Sequence, residues 1–333
     1  MSKAAELAAL IANVNKGSSL ANKNLIINGN FEIWQRSTSQ TGSGSYAYGS
    51  ADRWMIYGSG QTFARSTSVP SDTGLQYSIT TTGTPSDEYN ITQGIELPST
   101  GNAGQFYVGQ KITISYYAKS SSAGDRLWNA LLFRNSVNSS TNQVVVDFDN
   151  TDNNSLTTSF QRFSKTYTIG DGVTPHANNA CLSVQLRSRN SANDSSTPSG
   201  NITVTGVQLE IGEKATAFEH EPYEATLRKA SRYYTEISRA DNNTAHLVGY
   251  VQTAAVARYS FHVPMRTTPS ITETNFGVMH GGGSEEAITS VDDITQDEQF
   301  VSFRANVSAN LTAGQAVVLY SNGAATLTFD AEL

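Results

Sequence analysis

Three neighbouring acid pairs, Asp87-Glu88, Glu285-Glu286 and Asp292-Asp293, are the side chains of this sequence best suited by type to acid–base work. Glycoside hydrolysis needs two carboxylates about 5 to 10 Å apart across a cleft, whereas neighbours on an extended strand point to opposite faces. All three pairs lie in polar, turn-like stretches and read as solvated loops, although carboxylates distant in sequence can still converge. The five histidines, His176, His220, His246, His262 and His280, are scattered, with no pair at HxxxH or HxH spacing for a metal. No Gly-x-Ser-x-Gly elbow, Walker loop or dinucleotide fingerprint is present, and Gly281-Gly282-Gly283 precedes no helix capped for phosphate. The single cysteine, Cys181, excludes an intrachain disulfide and a cysteine zinc site. It sits in the alternating run Cys181–Leu186 and reads as a buried structural thiol. The expectation is a chain with no catalytic residues and no cofactor.

Binding a sugar asks for less: an exposed aromatic platform flanked by amides and carboxylates. Tyr46 and Tyr48 stand two apart in Gly44-Ser45-Tyr46-Ala47-Tyr48-Gly49 and project to one side if extended. Trp128 beside Asp125-Arg126 is a second candidate. His280, in Met279-His280 before the triple glycine, is a third, placed in a loop. Aromatic residues also dominate cores, so packing competes with ligand contact at each position.

The elements that must hold these residues are mostly strands. Only 15% of the 333 residues are charged, and Ser, Thr, Asn and Gly separate short runs rich in Tyr, Val and Ile. The length suits two domains. A net charge of −7 argues against a nucleic-acid binder, which needs a basic stripe. No apolar run approaches the roughly 20 residues that span a bilayer, and no secretory leader is apparent, so no membrane insertion is expected.

Residues Ala4 to Asn15 read as a short helix with Ala4, Leu7, Ile11 and Val14 on one seam. A helix of about 12 residues is marginal alone, so the seam is expected to oligomerise, with docking onto the same chain as the alternative. From Asn24 onward, short strands alternate with turn clusters, the pattern of a β-sandwich. Ile112, Ile114, Tyr116 and Ala118 form one core face, and Leu182, Val184 and Leu186 another. The apolar phase switches between Ile202–Val204 and Val207–Leu209–Ile211, which predicts a β-bulge at Gly206. Pro222 opens a helix to about Ile237, with Leu227, Ala230, Tyr234 and Ile237 on one face. Strands resume at Ala245–Val251, Ala254–Val263, Phe300–Val307, Gln315–Tyr320 and Ala325–Phe329. The Gly281–Gly283 and Ser290–Glu298 stretches read as exposed connections. The fold class is therefore mainly β: an N-terminal short helix and linker (1–23), a β-sandwich (24–221), a linking helix (222–240) and a smaller C-terminal β-domain (241–333).

Three stretches carry a family resemblance. They are Asn24-Leu25-Ile26-Ile27-Asn28-Gly29-Asn30-Phe31-Glu32 with Trp34-Gln35-Arg36, the tetrad Ala51-Asp52-Arg53-Trp54, and Val207–Gly212 running into Ala217–Tyr223. Together with Arg232-Tyr233-Tyr234 and Phe261–Arg266, they resemble fibre or spike structural proteins of tailed bacteriophages that carry a jelly-roll module. The first domain also resembles carbohydrate-binding jelly rolls, whose opening strand ends in Gly-Phe-Glu and whose last strand bears an acidic residue near a structural calcium. Here Gly29-Asn30-Phe31-Glu32 departs by one residue and Thr205-Gly206 replaces the usual acidic residues, leaving a calcium candidate near Glu32 and Glu210. Phe31, Ile33 and Trp54 read as core, and Asp52-Arg53 as a loop lock.

The resemblance implies a non-enzymatic virion protein, made in the host cytoplasm and mounted on tail or capsid. It implies a homotrimeric tail fibre or spike whose N-terminal segment binds other virion proteins and whose domains adhere to host cell-surface polysaccharide. Many weak sites on one particle would then give stable attachment. A capsid decoration or head-fibre protein and a glycan-depolymerising tailspike are the alternatives.

Overall fold

A computed structural model describes residues 23–83, 89–98, 104, 106–136, 142–147, 154–173, 180–189, 197–239, 245–296 and 300–333. The N-terminal seam of Ala4, Leu7, Ile11 and Val14 lies outside the described residues, as do Asp87-Glu88, His176 and Asp297-Glu298. The fold is mainly β, with one short helix among the described residues. It divides into two compact units, 1–32 with 37–222, and 33–36 with 223–333.

Among the described residues the first unit holds thirteen strands: β1 (Ser39–Ser43), β2 (Ala47–Tyr48), β3 (Met55–Tyr57), β4 (Ser59–Ser66), β5 (Ser78–Thr82), β6 (Asn90–Glu96), β7 (Lys111–Ser120), β8 (Arg126–Arg134), β9 (Asn142–Asp147), β10 (Asn154–Ser155), β11 (Gln161–Thr168), β12 (Cys181–Arg189) and β13 (Ile202–Ile211). They form two antiparallel sheets, ordered β1-β4-β5-β13-β7-β11 and β10-β8-β12-β6-β3-β2, with β9 added beside β8. Alternation explains why the sheets face each other. Ile112, Ile114, Tyr116 and Ala118 of β7 are buried on one face, and Leu182, Val184 and Leu186 of β12 on the other, as expected. One polar bond spans the two sheets: Asn129 Nδ2 of β8 donates to the Tyr167 hydroxyl of β11 at 3.0 Å.

The predicted bulge is present. Against β7, the register of β13 slips between Thr205 and Gln208, with Gly206 at φ 61°. The extra residue moves the apolar set from even to odd positions, so Val204 and Leu209 both face the core.

The opening stretch corrects its expected role as a strand: residues 24–36 contain none. Asn28 (φ 59°) and Phe31 (φ 55°) take left-handed backbone, so the chain turns instead of extending. Its amides still find partners. Leu25 N donates to Leu209 O, Val207 N donates to Gly29 O, and the Gln93 amide clamps Ile27 by accepting from its N–H and donating to its carbonyl, both at 2.8 Å. The tetrad 51–54 completes this plug. Asn28 Nδ2 donates to Asp52 O, Trp54 Nε1 donates to Asn28 O, and the rings of Phe31 and Trp54 pack 5.2 Å apart, both fully buried.

Among its described residues the second unit contains α1 (Tyr223–Ser231) and eight strands: β14 (Tyr234–Arg239), β15 (Ala245–Thr253), β16 (Val256–His262), β17 (Ser270–His280), β18 (Ser284–Ala287), β19 (Ser290–Gln296), β20 (Phe300–Asn306) and β21 (Ala316–Asp330). They make one sheet ordered β18-β17-β21-β15-β16-β20-β19, with β14 also on β21. Three expectations are corrected here. The helix expected across 222–240 stops at Ser231, because Tyr233-Tyr234-Thr235 and Ile237 suit a strand, and β14 pairs β21 from Tyr234↔Asp330 to Arg239↔Ala325. The acidic stretch from Ser290 is strand β19 on β20, not a loop. The two strands expected at 315–320 and 325–329 are one strand of 15 residues, paired with β15 at one end and β14 at the other.

Candidate functional site

The registers place the aromatic candidates. In the second sheet of the first unit, Trp128 lies opposite Arg187, Arg187 opposite Asn90, and Asn90 opposite Tyr57. These four residues form a row across β8, β12, β6 and β3 on the face turned away from Leu131, Leu186, Ile91 and Ile56, which are core. Three strand-to-strand steps make the row roughly 14 Å long. Tyr46, just before β2, extends it: its ring packs 4.9 Å from Tyr57, and its hydroxyl accepts from Asn90 Nδ2 at 2.7 Å. Tyr48 falls in the next row with Met55, Thr92 and Gln185.

Burial separates floor from surface. Asn90, Thr92 and Gln185 are buried, while Tyr46, Tyr48, Tyr57 and Arg187 are half-buried. Trp128 is 2% exposed, so in this arrangement its indole is packed and offers no stacking face; it sits within the continuously buried run Leu127–Phe133. Tyr57 and Arg187 were not singled out by sequence. Only the strand register, which a single sequence does not print, shows that they share a face with Tyr46.

His280 ends strand β17 and is not in a loop. Its side chain is 9% exposed, with Nε2 4.0 Å from Glu286 Oε1. The residues before the triple glycine pair with β18, which draws His280 into the sheet. His280 thus belongs to the second unit, and the row to the first.

The carboxylates described are tied into structure. Glu285 Oε2 accepts from the Tyr320 hydroxyl at 2.8 Å, and burial together with this bond pushes that phenol up to about 12. Glu286 accepts from Asn310 Nδ2. Asp292 accepts from Arg304 Nε at 2.8 Å, a bond that holds its carboxyl below the usual range, and Asp293 pairs with Arg258. In the first unit, Asp125 is 2% exposed and accepts from Ser199 N, Gly200 N and Ser120 Oγ.

The calcium candidate does not fit. Both oxygens of Glu210 accept from Thr216, Oε2 from its N–H at 2.9 Å and Oε1 from its hydroxyl at 2.6 Å. Among the described residues, no three His, Cys, Asp or Glu side chains come together. Cys181 is buried, with Sγ 3.8 Å from Arg134 O.

No family model matches the chain, and no curated protein matches it. Solved structures do. The CBM22-1 xylan-binding domain from Paenibacillus barcinonensis Xyn10C is 14% identical, with 60% of this chain and all of that chain covered, at TM-score 0.35. The CBM22-1-CBM22-2 tandem domain from the same protein is 10% identical, covering 94% and 97%, at TM-score 0.35. The N-terminal cellulose-binding domain from Cellulomonas fimi β-1,4-glucanase C is 16% identical, covering 49% and 90%, at TM-score 0.30. Scores of this size establish no family for the chain.

Proposed function

We propose that this chain is a non-enzymatic glycan-binding structural protein of a bacteriophage particle, a homotrimeric fibre or spike that adheres to host polysaccharide. The observation that carries glycan binding is the row of Tyr46, Tyr57, Asn90 and Arg187 on one sheet face. Tyrosine rings offer an apolar surface to a pyranose face, and the guanidinium and amide beside them hydrogen-bond hydroxyls. The Asn90–Tyr46 bond fixes the pair of rings before a ligand arrives, which lowers the ordering cost of binding.

The particle assignment rests on the sequence resemblance of residues 24–36, 51–54 and 207–223. Residues 25–31 and 51–54 act as a plug and lock of the sandwich. A lock of this kind belongs to the scaffold, with recognition carried elsewhere on it.

Isothermal titration with a panel of neutral linear oligosaccharides tests the reading. At least one member binds, and Tyr57→Ala or Arg187→Ala weakens it by about tenfold, the effect of losing roughly 1.4 kcal/mol of contact. Absence of binding across the panel, or binding indifferent to both variants, would remove this face from consideration. Released fragments during incubation with polysaccharide would overturn the non-enzymatic part.

A further inference from the structure

The opposite sheet of the same unit holds a second site. A cleft of about 580 Å³ opens on the outer face of β7 and β11, within the size range of small-ligand pockets. The register sets Tyr117 opposite Arg162; Lys119 follows two residues along β7, and Phe160, just before β11, joins them in the lining. Each cation covers an aromatic ring: Lys119 Nζ lies 4.8 Å from the Phe160 centroid, and Arg162 Cζ lies 5.8 Å from that of Tyr117. Thr158 and Ser159 add hydroxyls to the rim.

The charge of this cleft runs against that of the molecule. The chain carries −7 overall, yet the residues lining the cleft include two cations and no carboxylate. Neither cation is neutralised by an ion pair among the described residues. Lys119 Nζ donates to Ser68 Oγ at 2.8 Å, which occupies one of its three donors. Arg162 Nη2 donates to Thr216 O and to Ser115 Oγ, while Nε and Nη1 keep their donors without a partner among the described residues. An uncompensated pair of cations beside aromatic surfaces suits a ligand that is both ring-shaped and anionic.

We infer that this cleft binds an acidic sugar residue, its carboxylate or phosphate held by Lys119 and Arg162 and its ring lying against Tyr117 and Phe160. The inference deepens the glycan-binding reading by naming a substrate class, and it uses a different sheet, so the two can fail separately. One chain would then grip a charged polysaccharide at two places.

The test is titration of the full chain with three probes: a uronate oligomer, a sugar phosphate and a neutral oligosaccharide of matching length. The uronate or the phosphate binds, and the comparison of the two says which anion is preferred. Raising salt from roughly 0.05 to roughly 0.5 M weakens the acidic probe and leaves the neutral one unchanged. Lys119→Gln with Arg162→Gln lowers acidic binding by about tenfold to a hundredfold, since bonds to charged groups are being lost. Lys119→Arg with native Arg162 retains it, which guards against a folding defect in the double variant. Acidic binding that survives the double variant with its salt dependence intact overturns the site, as does binding of the neutral probe alone. Acidic binding unaffected by Tyr57→Ala supports the cleft; acidic binding lost in Tyr57→Ala and retained in the double variant overturns it.

Discussion

Asp125 shows how the chain uses a carboxylate that looked, in sequence, like company for a binding tryptophan. It is buried and ties the 199–200 turn to β7 through three short bonds, so removing it leaves two amides and a hydroxyl without an acceptor. Asp125→Ala is expected to cost about 3 kcal/mol, read as a lower urea midpoint with unchanged slope. Arg36 plays the corresponding part in the second unit. Its guanidinium lies 3.6 Å from the Tyr234 ring centroid and 3.3 Å from both Asp330 and Glu332. Glu332 is only 6% exposed, so Arg36→Ala should cost on the order of 2 kcal/mol, less than a fully buried pair because Asp330 is 40% exposed. Glu273 works in the other direction. Burial raises its carboxyl above the ordinary value, outweighing the bond from Phe276 N, so its charged form opposes folding. The stability lost as pH rises through its raised pKa is spared in Glu273→Gln. The variant should therefore melt higher than the native chain at pH 7, and the difference should vanish below the unfolded carboxyl's pKa near 4.5.

At the scale of elements, much of the sandwich was legible because alternation leaves a mark on composition. Ile112 to Ala118 and Leu182 to Leu186 announced their inward faces, and Gly206 announced its bulge through a change of apolar phase. What failed to show had physical reasons too. Residues 24–36 looked extended because they are apolar, yet Asn28-Gly29-Asn30 is turn chemistry, and two left-handed residues bend it into a plug. Gly29 is required there by a close approach: a Cβ would stand 2.0 Å from Val207 O. Gly29→Ala should destabilise the sandwich by about 1 to 3 kcal/mol, as overpacking does, with the melting temperature as the readout. Strand β19 was hidden because its outward positions are acidic, and their partners, Arg304 on β20 and Arg258 on β16, sit one and two strands away. The end of α1 was hidden because Tyr234 and Ile237 fall at helical spacing by coincidence with the strand that follows. The candidate site was half legible. Tyr46 and Tyr48 stood out by composition, whereas Tyr57, Arg187 and the Lys119–Arg162 cleft depend on pairings between strands distant in sequence.

For the molecule as a whole, the two sites lie on opposite sheets of the first unit, so each can be altered while the other serves as the control. The proposed trimer predicts a light-scattering mass near three times the 35.8 kDa of the chain, and a mass equal to one chain would remove it. Three copies of a weak site on one particle component are what would turn modest affinity into firm attachment. The most direct test of the central claim is hydrogen exchange of the full chain with and without a saturating neutral oligosaccharide drawn from the binding panel. Slowed exchange concentrated at residues 46–57, 89–92 and 185–188 is the predicted result. Protection confined to other strands, or none at a concentration where titration shows binding, would contradict the assignment of glycan recognition to this sheet face.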